Sequence, residues 1–132
     1  MLTTVAYALA RRVDMSFEDA DRRIREELQQ EGFGILTEID VAATLKKKID
    51  LEIPPYKILG ACAPQLAGSA LQQEPDVGLL LPCNVVVRAD SEGVVVEALD
   101  PVKQLELSAN PALRPLAREA RERLERALQR MG

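Results

Sequence analysis

The spacing of hydrophobic and polar residues changes period several times along the chain. Residues 4–12 alternate between apolar and polar or small side chains, as do residues 33–39, and both patterns predict strands. Between them, apolar residues recur at helical spacing from Ser16 to Gly32. Ser16 suits the cap of such a helix and Gly32 suits its end, so the first part of the chain predicts strand, helix, strand.

Shorter elements follow in the middle of the chain. Asp40 has the side chain of a helix cap and precedes a short helical segment, residues 41–49. Residues 56–61 predict a third strand. Pro64 then suits the first turn of another helix, residues 64–73, because proline there gives up no needed donor.

The last part of the chain predicts a hairpin and a long helix. Residues 77–89 and 94–99 are apolar strand candidates, joined by a loop of hairpin size and composition at residues 90–93. A stripe of leucine and alanine then predicts a C-terminal helix. Two starts are open: Asn110 caps a first turn that is strained at Pro115, or the regular helix begins at Pro115 itself.

These elements predict an α+β fold. The chain has 132 residues, which fits one domain. Its strands cluster instead of alternating strictly with helices, in the order β-α-β4-α with short extra helices. We therefore expect a single, mostly antiparallel five-stranded sheet with the helices packed mainly on one face.

Two valine runs suggest that both faces of this sheet are covered. Residues 85–87 and 94–96 are each three valines in succession, which places apolar groups on both sides of the strands. Helices bury one face, but the chain has too few long helices to bury both. We expect a homodimer to cover the second face; the alternative is coverage by the two short helices at residues 41–49 and 64–73.

A proline, a thiol and an amide interrupt the most apolar window of the chain. Pro82 cannot donate to a sheet ladder, so it predicts an edge position or, in preference, a bulge or bend midway along the strand. Cys83 and Asn84 would lie at that discontinuity, a frequent place for functional residues. The structural alternative is a small buried thiol beside an amide that pairs with freed backbone groups.

The second thiol lies at the junction of a strand and a helix. Cys62 precedes Pro64, and the amino-terminal end of a helix favours a thiolate, so Cys62 is the better candidate for a lowered pKa. The alternative is that a small residue is needed at this sharp turn. If Cys62 and Cys83 lay in adjacent strands, they could form a reversible disulfide.

Composition excludes several chemistries. The chain has no histidine, so a Ser-His-Asp triad, a Cys-His pair and histidine-ligated zinc are excluded, and no metal-ligand spacing is recognisable. Glu38 and Asp40 lie on one side of the second strand, as a carboxylate pair for acid–base work would. A capping role for Asp40 and a surface position for Glu38 fit the pattern better. The sequence identifies no cofactor and favours binding over catalysis.

Charge and hydropathy bear on partners and location. The net charge is −4, which argues against nucleic acid and anionic lipid as partners, although residues 110–132 hold six arginines and three glutamates. No apolar run is long enough to span a bilayer. The apolar stretch near the start is followed, not preceded, by arginines, the wrong order for an export signal. We expect a cytoplasmic protein with two reduced cysteines.

Three blocks in order resemble the domain-of-unknown-function 302 family: GILTEIDVAATLKKK from residue 34, PYKILGACAP from residue 55 and GLLLPCNVVV from residue 78. The resemblance covers almost the whole chain. It implies a TATA-binding-protein-like α+β fold and dimeric assembly, without an established activity. Ala63 stands where the resemblance leads us to expect asparagine.

The residues together favour a binding module. We expect a homodimer that encloses a small, mostly apolar ligand at the sheet surface or subunit interface. The reason is that strands with apolar side chains on both faces are interrupted there by a few polar groups, which is typical of a ligand pocket. The alternative is a thiol-based redox or metal-binding protein. The candidate site residues are Glu38, Asp40, Tyr56, Cys62, Pro82, Cys83 and Asn84.

Overall fold

The computed structural model describes residues 3–132 and contains six strands and five α-helices there. The strands are β1 (Thr3–Val5), β2 (Ala8–Val13), β3 (Gly34–Asp40), β4 (Tyr56–Cys62), β5 (Cys83–Asp90) and β6 (Gly93–Leu99). The helices are α1 (Phe17–Gln30), α2 (Val41–Ile49), α3 (Pro64–Gln73), α4 (Pro101–Leu105) and α5 (Arg114–Gln129).

All strands belong to one antiparallel sheet with the spatial order β1-β2-β6-β5-β4-β3. The predicted α+β fold with a single antiparallel sheet is therefore confirmed. The first predicted strand is in fact two, because the chain turns at residues 6–7 and β1 folds back on β2. The sheet thus gains a short sixth strand at its edge.

The strand predicted for residues 77–89 starts later than expected. Residues 75–80 form a 3-10 helix, and β5 begins at Cys83, directly after a cis Leu81–Pro82 peptide bond. Pro82 therefore lies outside the ladder, and β5 pairs with both neighbours in continuous register. The predicted bulge or bend midway along a strand is therefore wrong, because the chain bends at Pro82 before β5 begins. The register shift lies in β3 instead, between Ile35 and Thr37.

One face of the sheet, which we call the inner face, packs against α1 and α5. The valines of β5 and β6 that face these helices are fully or almost fully buried, together with the apolar stripes of both helices. The core residues of this layer include Leu9, Ile24, Leu28, Leu59, Val85, Val87, Val94, Val96, Leu124, Leu128 and Met131. Each fully buried aliphatic side chain contributes roughly 1.5–3 kcal/mol relative to exposure, so this layer is the main source of stability.

The structure resolves the two possible starts of the last helix. Asn110 caps a separate 3-10 turn at Pro111–Leu113, where its side chain accepts a hydrogen bond of 2.9 Å from the Ala112 amide. The regular helix α5 then begins at Arg114, with Pro115 in its first turn. Proline is accommodated there because first-turn amides have no partner within the helix.

An ion-pair cluster joins α1 to the end of α5. The Glu27 carboxylate is only 4% exposed and accepts hydrogen bonds from Arg23 (2.8 Å) and Arg130 (2.6 Å). Burial alone would raise the pKa of Glu27, but the hydrogen bonds from Arg130 and Arg23, together with the positive charges of both arginines, outweigh it and hold the pKa below its usual value. Glu31 has a lowered pKa for the same reason, because Arg126 and Arg130 donate to it.

The opposite, outer face of the sheet is less covered than the inner face by the described residues 3–132. Glu97, Val86, Ile58 and Ile39 lie side by side across four strands on this face, and Ile39 is 48% exposed. α2 contacts β3 and β4 but none of its residues is buried, and α3 packs against α5 and the adjacent 3-10 helices. The alternative that the two short helices bury the second face is therefore wrong.

Candidate functional site

The predicted site residues lie in three separate places. The first is a cavity on the inner side of the sheet, the second a depression on the outer face, and the third the end of the edge strand β3. The cavity is lined by Cys62, Pro82 and Cys83. The depression is lined by Tyr56 and Asn84. Glu38 and Asp40 lie at the end of β3.

Both cysteines line the inner cavity. β4 ends at Cys62 and β5 begins at Cys83, whose backbone is in register with Ala61, so the two cysteines lie diagonally across adjacent strands. The cavity measures about 50 Å³. This volume holds a few water molecules but is far below the roughly 300–1,000 Å³ of a typical ligand pocket. Its walls are almost entirely apolar and come from β4, β5, α3, α4 and α5.

One amide supplies a polar contact in this cavity. The Cys83 Sγ atom lies 3.9 Å from Gln104 Oε1, so the thiol can donate a weak hydrogen bond to this oxygen. Gln104 is itself held by a hydrogen bond from its Nε2 to the Leu80 carbonyl. Sequence reasoning missed Gln104, because its position depends on α4 folding back over the start of β5, and no local pattern indicates that contact.

Both thiols are disfavoured as thiolates. Burial, together with the nearby Cys62, raises the pKa of Cys83 to about 11, and burial raises the pKa of Cys62. The expectation that the start of α3 lowers the pKa of Cys62 is therefore wrong: desolvation in the apolar wall is the dominant effect. The described cysteines are both free thiols.

We expect both cysteines to resist alkylation at pH 7, and Cys83 more than Cys62. A pKa of about 11 leaves only about one thiol in 10⁴ ionised, compared with a few per cent for an unperturbed cysteine, so Cys83 should react a few hundredfold more slowly than a free thiol. A time course with N-ethylmaleimide, read by mass spectrometry on C62S and C83S, separates the two rates. Faster modification of Cys83 than of Cys62 would contradict this expectation.

The outer-face depression is the larger of the two sites. It has a volume of about 360 Å³ and is lined by Tyr7, Ala8, Tyr56, Asn84, Val86, Glu97, Ala98 and Leu99. Asn84 is exposed, and its side chain has no hydrogen-bond partner among residues 6–132, whose side chains the structure describes. The depression therefore combines an apolar floor with one free amide and two tyrosine rings.

Gly60, the residue opposite Asn84, lets two neighbouring side chains pack closely against β4. Gly60 lies opposite Asn84 in β4, and a Cβ atom there would overlap the Thr37 Oγ1 atom and come within 3.0 Å of Pro82 Cγ. Glycine thus lets Thr37 and Pro82 pack directly on β4. Because Pro82 precedes β5 immediately, this contact fixes where that strand begins.

Charged residues form one border of the depression. Arg88 donates to Glu97 at 2.8 Å, and Arg12 makes two hydrogen bonds of 2.8 Å to Asp90. The hydrogen bonds from Arg12 and from the Glu92 amide hold the pKa of Asp90 well below its usual value. Val95 lies in register between Arg12 and Arg88 and is buried, so this part of the outer face is already covered within one chain.

Glu38 and Asp40 do not form an acid–base pair. Glu38 contacts Lys57 at 3.0 Å and Arg25 at 2.9 Å, and the hydrogen bond from Lys57 is the main cause of its lowered pKa. Asp40 caps α2 by accepting a hydrogen bond of 2.9 Å from the Ala43 amide. The predicted capping role of Asp40 is confirmed, and both carboxylates have structural partners.

Two further observations concern metals and membranes. Within residues 3–132, no three side chains of cysteine, histidine, aspartate or glutamate converge in a way that could hold a metal ion. Every helix in the same part of the chain is too short or too polar to cross a membrane.

Comparison with known proteins supports the resemblance seen in the sequence. The chain is similar to an uncharacterized conserved protein DUF302 from Bacillus stearothermophilus, whose crystal structure superimposes with a TM-score of 0.90 at 29% sequence identity. The match covers 97% of this chain and 100% of the other. No curated protein matches the chain significantly. A sequence model described as "Domain of unknown function DUF302" matches residues 9–131, and the chain therefore belongs to the DUF302 family.

Proposed function

We propose that the protein is a homodimeric binding module, in which a second copy of the chain covers the outer face and a small, mostly apolar ligand occupies the depression on that face. The observation that carries this proposal is the depression itself: about 360 Å³, lined by apolar side chains and a free amide, on the face opposite α1 and α5. Ligand sites in proteins commonly combine an apolar lining with a few polar groups in this way.

The composition of the outer face favours a second copy as the cover. Its centre is apolar, with Val86, Ile58 and Leu99 half-buried in one chain, and its border carries both signs of charge. In an isologous contact each patch meets itself, so a border with both signs can pair across the twofold axis. Covering a few hundred Å² of apolar surface stabilises by roughly 25 cal/mol per Å², enough to support association.

The polar groups of the depression favour a ligand that is apolar with one hydrogen-bonding end. The Asn84 amide offers both a donor and an acceptor, and the rings of Tyr7 and Tyr56 offer flat apolar surface and a hydroxyl each. The Glu97 carboxylate is already bound by Arg88. A ligand with one carbonyl or hydroxyl group next to a hydrocarbon body matches this set.

Thiol chemistry is the second candidate function, because Cys62 and Cys83 line one cavity. Mild peroxide oxidation would join the two Sγ atoms, with both thiol hydrogens and two electrons passing to the peroxide to form water. A protein mass lowered by two hydrogens after peroxide, or zinc-dependent protection of both thiols from maleimide, supports this function. Two thiols unaffected by either reagent exclude it.

Sedimentation and native mass spectrometry test the leading proposal. At micromolar concentration we expect twice the mass of one chain, and native spectra of freshly purified protein should contain a retained compound that N84A holds less well. A single chain at this concentration, or a dimer with no retained compound and no difference between N84A and the unmodified protein, contradicts the proposal.

A further inference from the structure

Two arginines at the start of α5 differ from every other arginine in the chain. Ten of the twelve arginines bind an acidic side chain or a backbone carbonyl. Arg114 and Arg118 have no such partner within residues 3–132. Most of the positive charge counted in residues 110–132 is therefore neutralised inside the fold, and the remainder is concentrated at these two positions.

Both unpaired arginines line the same pocket. This pocket lies between α4 and α5 and has a volume of about 240 Å³. Arg114 and Arg118 are four residues apart, which places them one above the other on the same face of α5. The apolar part of the lining is Val102, Leu105 and Ala117. The pocket thus combines two guanidinium groups with a hydrocarbon floor.

The remaining polar side chains of the pocket are already engaged. Ser108 donates to Glu74 at 2.8 Å and accepts from the Asn110 amide at 3.1 Å. Glu106 lies 3.8 Å from Lys103, in an exposed ion pair. With two arginines and one glutamate, the lining carries a net positive charge, and the arginines are its unoccupied hydrogen-bond donors.

The other arginines of α5 are paired with acidic side chains. Arg121 pairs with Glu125 and Arg123 pairs with Glu119, each four residues away at 2.8–2.9 Å. Arg114 has Arg118 at the same spacing, and two like charges so placed repel each other and destabilise a helix. An external anion would reverse that effect, because a guanidinium group binds carboxylate or phosphate oxygens through paired hydrogen bonds.

We infer that the pocket between α4 and α5 binds a small organic anion, with its carboxylate or phosphate on Arg114 and Arg118 and a short hydrocarbon group on Val102, Leu105 and Ala117. This site is separate from the outer-face depression and from the cysteine cavity, and it does not depend on the proposed dimer.

Titration of the ¹⁵N-labelled full chain with butyrate, butyl phosphate and inorganic phosphate tests the inference. We expect saturable shifts confined to α4, residues 106–110 and the first turns of α5 with butyrate or butyl phosphate; the tighter of the two identifies the anionic group. R118Q should weaken binding about tenfold, the loss expected for one charge-assisted interaction. E106Q should strengthen it, because it removes a like charge from the lining.

R22Q is the matched control. Arg22 is an exposed arginine on α1 whose ion pairs are solvent-exposed, so its replacement changes the net charge equally without touching the pocket. Thermal unfolding should be nearly the same for both variants and the unmodified chain. The inference is overturned if neither organic anion saturates, if R22Q weakens binding as much as R118Q, or if inorganic phosphate binds as tightly as butyl phosphate.

Discussion

Replacing Val86 with arginine is expected to convert the proposed dimer into single chains. Val86 lies at the centre of the outer face, in register between Glu97 and Ile58, and lines the depression. In one chain the new guanidinium remains in water. In the dimer it would be buried in an apolar interface, and the cost of desolvating a charge should weaken association at least a hundredfold, equivalent to about 2.7 kcal/mol.

Sedimentation equilibrium of V86R over a range of concentrations measures this change. The matched control is L79R, because Leu79 is 89% exposed and is not part of the depression. L79R should dimerise as the unmodified chain does, and both variants should keep the same thermal stability as single chains. A V86R protein that still dimerises with unchanged affinity would place the interface elsewhere.

Replacing Glu27 with glutamine is expected to cause the largest loss of stability for a single polar substitution. Glu27 is buried between Arg23 and Arg130, and glutamine keeps its shape while removing the charge that both guanidinium groups bind. Hydrogen bonds to a charged group typically contribute about 1.5–3 kcal/mol; because both arginines are partly exposed and can rehydrate, we expect a loss of about 1–2 kcal/mol. Urea unfolding at pH 7 measures it.

This difference should depend on pH in a defined direction. The folded state lowers the pKa of Glu27, so its stabilising effect is complete above the unfolded-state pKa of about 4.3 and is lost as the pH falls through the lower folded-state value. The stability gap between E27Q and the unmodified chain should therefore be constant from pH 8 to about 5.5 and shrink below it. E26Q, which changes an exposed neighbour, should show little effect. A gap that widens on acidification would contradict this origin.

The elements that were predicted correctly have strong local signals. The helix after Ser16 has a cap and an uninterrupted apolar stripe, and the structure places α1 there with Ser16 accepting a hydrogen bond from the Asp19 amide. The prediction that a strand begins at residue 77 is wrong, because the periodicity of a short apolar segment does not distinguish a strand from a helical turn. Pro75 and Pro82 enclose that segment, and Leu79 is exposed in it.

The candidate site was predicted as one cluster, but strand geometry divides it. Successive residues of a strand point to opposite faces, so Cys83 and Asn84 separate as soon as β5 is regular. The expected bulge at Pro82 would have removed that alternation, and the structure has no bulge there. The shared cavity of Cys62 and Cys83 depended on which strands are neighbours, and the position of Gln104 on how α4 folds back; neither is encoded in a local pattern.

The placement of β2 at the side of β6 has a consequence for synthesis. β2 pairs with β6, and the Arg11 guanidinium donates to the Leu128 carbonyl at 3.0 Å, so this strand near the start of the chain is completed by residues translated about a hundred positions later. While the ribosome is still making the intervening segments, β2 has an unsatisfied ladder edge, and α1 lacks the partner helix that shields its apolar stripe. Such non-local pairing slows folding and exposes the nascent chain to aggregation, so β2 and α1 are the segments that a chaperone acting during translation would protect.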